Sequence, residues 1–300
     1  MIVNRSIGNY IWVDLNSPTD EEAESLILAH QVDPTVAKDL IYPTPKQQTR
    51  KFEDSIYAVI HIPSFKHSHS IDTRQEIDCV ISKEMLVTAR YDSIDALHNY
   101  AKAAEVADIL KNGNSIHPFF GLMKEIYTSL FNELYYIEDL LKDIERNVFQ
   151  GKEREMVIAL SDVSRNLLNF ERIVSPHKAI WQTLVEVSKD KFGKKFEVEA
   201  ESLLKDWERL FLFERSLAGM VSEIRETNNS LLSTKQNEIM KVLTILAFVT
   251  FPLSLIAAIF GMNTKYIPLV GLDGDFWMVM SIMFFATIAM FTFFKFKKWL

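Results

Sequence analysis

Eight residues near the C-terminus recur at alternating spacings of three and four: Asn237, Met240, Thr244, Ala247, Phe251, Ser254, Ala258 and Gly261. On a helix they form one stripe, mostly small or polar, along an otherwise apolar segment. Small residues allow close helix approach in lipid. Repeated around an axis by several copies, the same stripe would line a water-filled path for ions; spacing leaves both readings open. A second set is His61, His67 and His69. Imidazole suits Zn²⁺, although His67-Ser68-His69 also reads as an ordinary hydrophilic loop. Enzyme chemistry finds no footing: there is no nucleophile–base pair, no His-Glu-x-x-His and no Gly-x-x-x-x-Gly-Lys-Ser/Thr phosphate loop. Neither a cofactor nor ATP drive is expected.

The stripe needs a membrane to make sense. Residues 242–264 and 276–294 contain no Asp, Glu, Lys or Arg, runs of 23 and 19 residues. About 20 apolar residues span the hydrocarbon core as a helix. Lys235 and Lys241 precede the first run, and Lys295, Lys297 and Lys298 follow the second. Basic residues concentrate on the cytoplasmic side, so both termini are expected inside and the loop 265–275 outside. Trp277 and Trp299 fall at opposite ends of the second run, where interfacial rings belong. The remaining body, 1–234, carries 27 Lys and Arg against 37 Asp and Glu, a net charge of −10. That argues against nucleic acid, whose phosphates need a positive surface. It suits a body that attracts cations, or one that is simply soluble. Cys79 is the only cysteine, which excludes an intrachain disulfide framework. The N-terminus lacks a secretory signal, so the body is expected in the cytoplasm.

Within the body, 10–14, 55–62, 76–82 and 85–90 read as strands from their β-branched and apolar content, with Lys83-Glu84 turning between the last two. Thr19 and Glu22 suit a capping box at the start of a helix, and 34–42 reads as another short one. Ile126, Leu130, Leu134, Ile137, Leu141, Ile144 and Val148 form an amphipathic stripe ended by Gly151. A second helix runs from about 153, with a kink or break at Pro176. A third begins near Phe196 and, unless it breaks near Gly219 or 227–230, continues to Phe260 as a stalk about 95 Å long.

At the outer end of that helix stands Gly261-Met262-Asn263. This tripeptide after a long helix, followed by a short loop, a second span and a basic end, resembles the CorA family of magnesium transporters. The resemblance extends through Trp12-Val13-Asp14-Leu15 with Ser17-Pro18-Thr19, Leu86-Val87-Thr88-Ala89-Arg90, Asn166-Leu167-Leu168, Ile173-Val174-Ser175-Pro176, Asn237 through Thr244, and Lys297-Lys298-Trp299-Leu300. It implies an α+β cytoplasmic domain, long helices and two transmembrane helices in a funnel-shaped homopentamer embedded in the lipid bilayer. The corresponding divisions are 1–117 (α/β domain), 118–235 (helical and stalk region), 236–264 (pore-lining helix), 265–275 (extracellular loop), 276–294 (outer helix) and 295–300 (basic cytoplasmic end).

The resemblance further implies potential-driven influx of Mg²⁺, with Co²⁺ and Ni²⁺ as further ions, through an ion-selecting entrance at Gly261, Met262 and Asn263. Mg²⁺ surrenders its water reluctantly, and a ring of neutral Asn263 amides could hold the hydrated ion without stripping it. Asn237, Met240, Thr244, Ala247, Ser254 and Ala258 would line the pore. Leu243 and Phe251 are candidate hydrophobic gates that close by dewetting. Family members close when internal Mg²⁺ bridges carboxylates between subunits; Asp92 or Asp95 with Glu199 or Glu201 are the candidates here, each also explicable as a solvated surface acid. One departure stands out. Where the family commonly has acids soon after Gly-Met-Asn, this chain has Lys265, with Asp273 and Asp275 only later. A zinc transporter on the same scaffold, with proton coupling as an option, is the alternative; a non-conducting sensor would need neither the stripe nor the tripeptide.

Overall fold

The computed structural model of the chain describes residues 2–64, 74–109, 116–265, 267, 269, 271 and 273–299. Two compact units divide it, Met1–Arg225 and Glu226–Leu300. The first contains a six-stranded sheet in the order β1-β2-β6-β5-β4-β3, built from Ile2–Ile7, Tyr10–Asn16, Gln48–Lys51, Ser55–Pro63, Arg74–Ser82 and Met85–Arg90, numbered β1 to β6 in chain order. Only β2 and β6 pair in parallel; the other neighbours are antiparallel. Central β4 and β5 are buried on both faces, hence their near-continuous apolar runs. On one face Val13, Leu15, Tyr57, Val59, Val80 and Val87 pack with Ala23 and Leu26 of α1 (Asp20–His30) and Val36 and Ala37 of α2 (Pro34–Asp39). The capping box forms as expected: Glu22 N donates to Thr19 Oγ1, and Thr19 N to Glu22 Oε2. The 34–42 helix ends early, at Asp39.

Three elements escaped the sequence pattern. Strand β1 is joined to β2 through Gly8, whose φ of 58° suits a residue without a side chain. The polar strand β3 exists through its pairing with β4. Helix α3 (Asp95–Ile109) lies against β1 and α4.

The body's helices α4 (Pro118–Phe149), α5 (Glu153–Val174) and α6 (His177–Val187) follow. Every residue of the expected stripe from Ile126 to Val148 is buried on α4. The break falls at Ser175 and Pro176, between α5 and α6. A relay ties helices to sheet. Trp181 Nε1 donates to the Tyr127 hydroxyl (2.8 Å), which lies 3.0 Å from His177 Nδ1, while His177 Nε2 lies 2.8 Å from the His61 carbonyl. Each group is used once if the imidazole is neutral with its proton on Nε2. Burial holds it in that form, lowering its pKa to about 4.

After a π turn at Ser188–Phe192 and Gly193, α7 runs unbroken from Lys194 to Phe260, 67 residues, with no interruption at Gly219 or 227–230. Its buried face in the first unit reads Phe196, Ala200, Leu203, Trp207, Leu210, Glu214, Leu217, Val221 and Ile224, again alternating four and three. Trp207 Nε1 donates to the Val174 carbonyl on α5 (2.9 Å), and Phe213 meets Tyr135 of α4 with ring centroids 5.0 Å apart. Glu214 is the one carboxylate in that apolar seam. It is 2% exposed, and its Oε2 has no hydrogen-bond partner among the described residues.

Burial, reinforced by nearby Glu171 on α5 and opposed by Arg215, raises the Glu214 pKa from 4.5 to about 7. Between those values the folded chain keeps a proton that the unfolded chain has lost. Stability therefore declines as pH rises through that window and stops declining above it. Glu214→Gln is expected to melt higher than wild type at pH 8, by up to about 3 kcal/mol, with the gain vanishing near pH 4. Equal melting of the two proteins at pH 8 would contradict this account.

Candidate ion pathway

The second unit holds the distal part of α7 and helix α8 (Asp275–Phe296). Both are long and apolar enough to cross a membrane, and in lipid a helix satisfies its backbone polar groups internally. Pro252 lies inside α7 without ending it. Gly274 begins α8, where Asp275 Oδ1 accepts from Phe276 N at 2.6 Å and Oδ2 from Gly271 N at 3.1 Å. At the other end Trp299 stacks on Phe294.

The packing of these two helices sorts the faces of α7. Ile245 and Val249 are buried against Phe294, with Leu253 and Met290 beside them. Nine residues are two and a half helical turns, a rotation of about 180°. Ser254 stands nine beyond Ile245, Ala258 nine beyond Val249, and Met240 and Thr244 nine before Val249 and Leu253. The expected stripe therefore points away from α8. None of it is buried: Thr244 and Ala247 are half-buried, and Asn237, Met240, Phe251, Ser254, Ala258 and Gly261 are exposed. Leu243 is exposed too, on the flank of the same face. Thr244 Oγ1 donates to the Met240 carbonyl (2.7 Å), which leaves its lone pairs for other donors.

At the helix end Gly261 N donates to Ala257 O (2.9 Å) and Met262 N to Ile259 O (3.3 Å). A Cβ on Gly261 would sit 3.1 Å from the Ala257 carbonyl, a close approach that glycine allows. Asn263 follows, exposed. Its side chain makes no hydrogen bond to any described residue, so it does not cap the helix within the described structure. An amide so placed can present its oxygen to a hydrated cation or its NH₂ to an anion.

The regulatory candidates lie apart from this region in sequence. Asp92 and Asp95 are exposed, Asp95 in the first turn of α3, where a carboxylate also complements the helix dipole. Glu199 and Glu201 are half-buried near the start of α7. Glu199 lines a cleft of about 430 Å³ with Glu84, Lys83, Lys195 and the buried His117. Glu84, in the turn between β5 and β6, joins Glu199 in that lining through tertiary packing, which the sequence pattern does not reveal. Among the described residues, no three His, Cys, Asp or Glu side chains gather as a metal site. His61 is buried, with Nε2 3.1 Å from both the Thr44 carbonyl and Glu76 Oε2; His67 and His69 lie outside the described residues.

The family model described as CorA-like Mg²⁺ transporter protein matches residues 8–298. The cobalt/magnesium transport protein CorA of Thermotoga maritima is 23% identical over 275 residues, which cover 90% of this chain and 77% of that protein. The complete CorA magnesium transporter of Methanocaldococcus jannaschii has a similar structure, with TM-score 0.83 and 22% identity over 97% of this chain and 92% of that one. The cytoplasmic domain of ZntB from Vibrio parahaemolyticus is similar with TM-score 0.62 and 11% identity, over 78% of this chain and 98% of that one. At these identities the two structures establish likeness of fold.

The lone natural cysteine makes the stripe testable. Cys79 is fully buried, and burial with Asp78 and Asp14 nearby pushes its thiol pKa up, so it should not react with a water-soluble thiol reagent. In reconstituted protein, Ser254→Cys and Ala258→Cys are expected to label. Ile256→Cys, three turns beyond Ile245 and so on the α8 side, is not. Equal labelling of all three variants would refute a hydrated stripe.

Proposed function

Because the chain belongs to the CorA family of Mg²⁺ transporter proteins, membrane transporters of divalent cations, we propose that it is a homopentameric channel admitting Mg²⁺ down the membrane potential. In this reading five copies of α7 surround the axis with their stripes inward. Asn263, Met262 and Gly261 form the outer entrance, and Asn237 a polar ring at the cytoplasmic end. The observation that carries it is the exposed Asn263 amide at the end of α7, which bonds to no described residue. A neutral ring suits hydrated Mg²⁺, which demands octahedral oxygen ligation and dehydrates reluctantly. A carboxylate ring would hold a divalent ion too firmly for rapid release, and conduction requires leaving as well as entering. Two charges moving inward gain about 4.6 kcal/mol per 100 mV, so no other energy source is needed.

Leu243 and Phe251, exposed on that side of α7, would close the path by excluding water. Asp92 or Asp95 of one subunit with Glu199 or Glu201 of the next would bind internal Mg²⁺ and hold the closed state. Among the described residues no three such ligands meet, and in this reading the site is completed across a subunit boundary. Both termini are cytoplasmic in this reading, by the lysine distribution. Zinc transport is the second reading, prompted by the likeness to the ZntB domain. Neither charge-free span could itself carry protons, so coupling would have to reside in the cytoplasmic region.

Proteoliposomes with an inside-negative potential decide between them. Wild type is expected to take up Mg²⁺, and Asn263→Ala to lose at least about tenfold of that rate, the loss of roughly 1.4 kcal/mol or more of stabilisation at the entrance. Zn²⁺ uptake without Mg²⁺ uptake would replace the first reading with the second. Lys265→Glu is expected to raise Mg²⁺ uptake, because it exchanges repulsion for attraction near the entrance; unchanged uptake would remove Lys265 from the pathway.

A further inference from the structure

We propose that the N-terminal unit carries a binding cleft for a phosphate-bearing anion, formed by Lys46, Arg74 and Arg172. The cleft, about 500 Å³, lies between the 43–47 loop, the start of β5 and the junction of α5 with α6. Specific bonds build its walls. Gln47 Nε2 donates to the Ile173 carbonyl (2.8 Å), tying the loop to the last turn of α5. Arg74 Nη1 donates to the Pro45 carbonyl (3.3 Å), closing the loop from the other side. Buried His61 also lines the cleft.

The charge here is one-sided. Arg50, Arg90 and Lys51 in the same unit each face a carboxylate: Asp39, Asp14 and Glu186. Lys46, Arg74 and Arg172 face none among the described residues. Arg74 is bonded to a carbonyl, and Arg172 only to the neutral Asn169 side chain at 2.7 Å. Among the described residues, no carboxylate lines the cleft. The nearby acid, Glu76, is turned inward, accepting from Thr44 N (2.7 Å) and Thr44 Oγ1 (3.2 Å) and contacting His61. In a body of net charge −10, a concave surface that gathers three cations, with no carboxylate in its described lining, is a local excess of positive charge.

Guanidinium groups match phosphate oxygens bidentately, and lysine adds a point charge. Each arginine keeps donors beyond the one it uses in the wall. At about 30 Å³ per water, the volume corresponds to roughly seventeen waters, room for more than a bare phosphate. The ligand class is thus a phosphate ester or polyphosphate. It could be a soluble metabolite or the headgroup of an anionic lipid.

Calorimetric titration of the full-length protein, in uncharged detergent without Mg²⁺, tests this with sodium pyrophosphate; vesicles of phosphatidic acid in phosphatidylcholine test the lipid source. Saturable binding of one probe per chain is expected, and whichever probe binds identifies the source. Arg172→Gln should weaken it roughly tenfold, since a charge-assisted pair is lost. Lys46→Gln should weaken it too, without risk to folding, because that side chain is exposed and makes no bond in the described structure. Lys51→Gln, whose ammonium already pairs with Glu186, should bind as wild type. No saturable binding of either probe, or wild-type affinity in both Lys46→Gln and Arg172→Gln, would overturn the proposal, as would equal affinity for sulfate.

Discussion

One helix has to serve two solvents. In α7 the backbone ladder runs without interruption for 67 residues, so the faces it presents are set by angular position alone. In the first unit that rule places an apolar seam from Phe196 to Ile224 against α4 and α5. In the second it sets Ile245, Val249 and Leu253 toward α8 and the small, polar stripe on the opposite side. Within either unit, inserting or deleting one residue would turn the later faces of that stretch of α7 by about 100°.

The sequence motifs divide between buried residues that join strands and exposed residues that pack against nothing described. Trp12 and Asp14 of β2 meet Thr88 and Arg90 of β6 across the one parallel pair in the sheet. Trp12 Nε1 donates to Thr88 Oγ1 (3.0 Å), the Thr88 hydroxyl to Asp14 Oδ1 (2.8 Å), and Arg90 Nη2 to Asp14 Oδ2 (3.4 Å). Trp12, Asp14 and Thr88 are nearly inaccessible to water, where an unmade hydrogen bond would cost about 1–3 kcal/mol. These residues carry much of the family resemblance, yet they join two strands and are not placed to meet an ion. Gly261-Met262-Asn263 is the reverse case, exposed and without a packing role for the asparagine side chain.

Electrostatics makes a similar division. Arg50, Arg90, Lys142, Arg146 and Arg165 in the body each answer a neighbouring acid. Two places stand apart from such pairing: Glu214 inside an apolar seam, and the cluster of Lys46, Arg74 and Arg172. Lys265 is a third departure, a cation beside a cation's expected entrance.

Signals that repeat along the chain were legible without coordinates. The stripe from Ile126 to Val148, the stripe from Asn237 to Gly261, the two charge-free runs and the Thr19–Glu22 box depend on neighbours within a few residues, and helix geometry converts their spacing directly into a face or a cap. The edge strands β1 and β3 carry too little pattern of their own, because pairing with β2 and β4 is what makes them strands. The same holds for what brings residues far apart in sequence together: the Trp12–Thr88 bond, the relay from Trp181 to His61, and the cleft that Lys46 and Arg172 both line. Periodicity dictates which way a side chain points from its own element; only the packing of one element on another decides what it meets there.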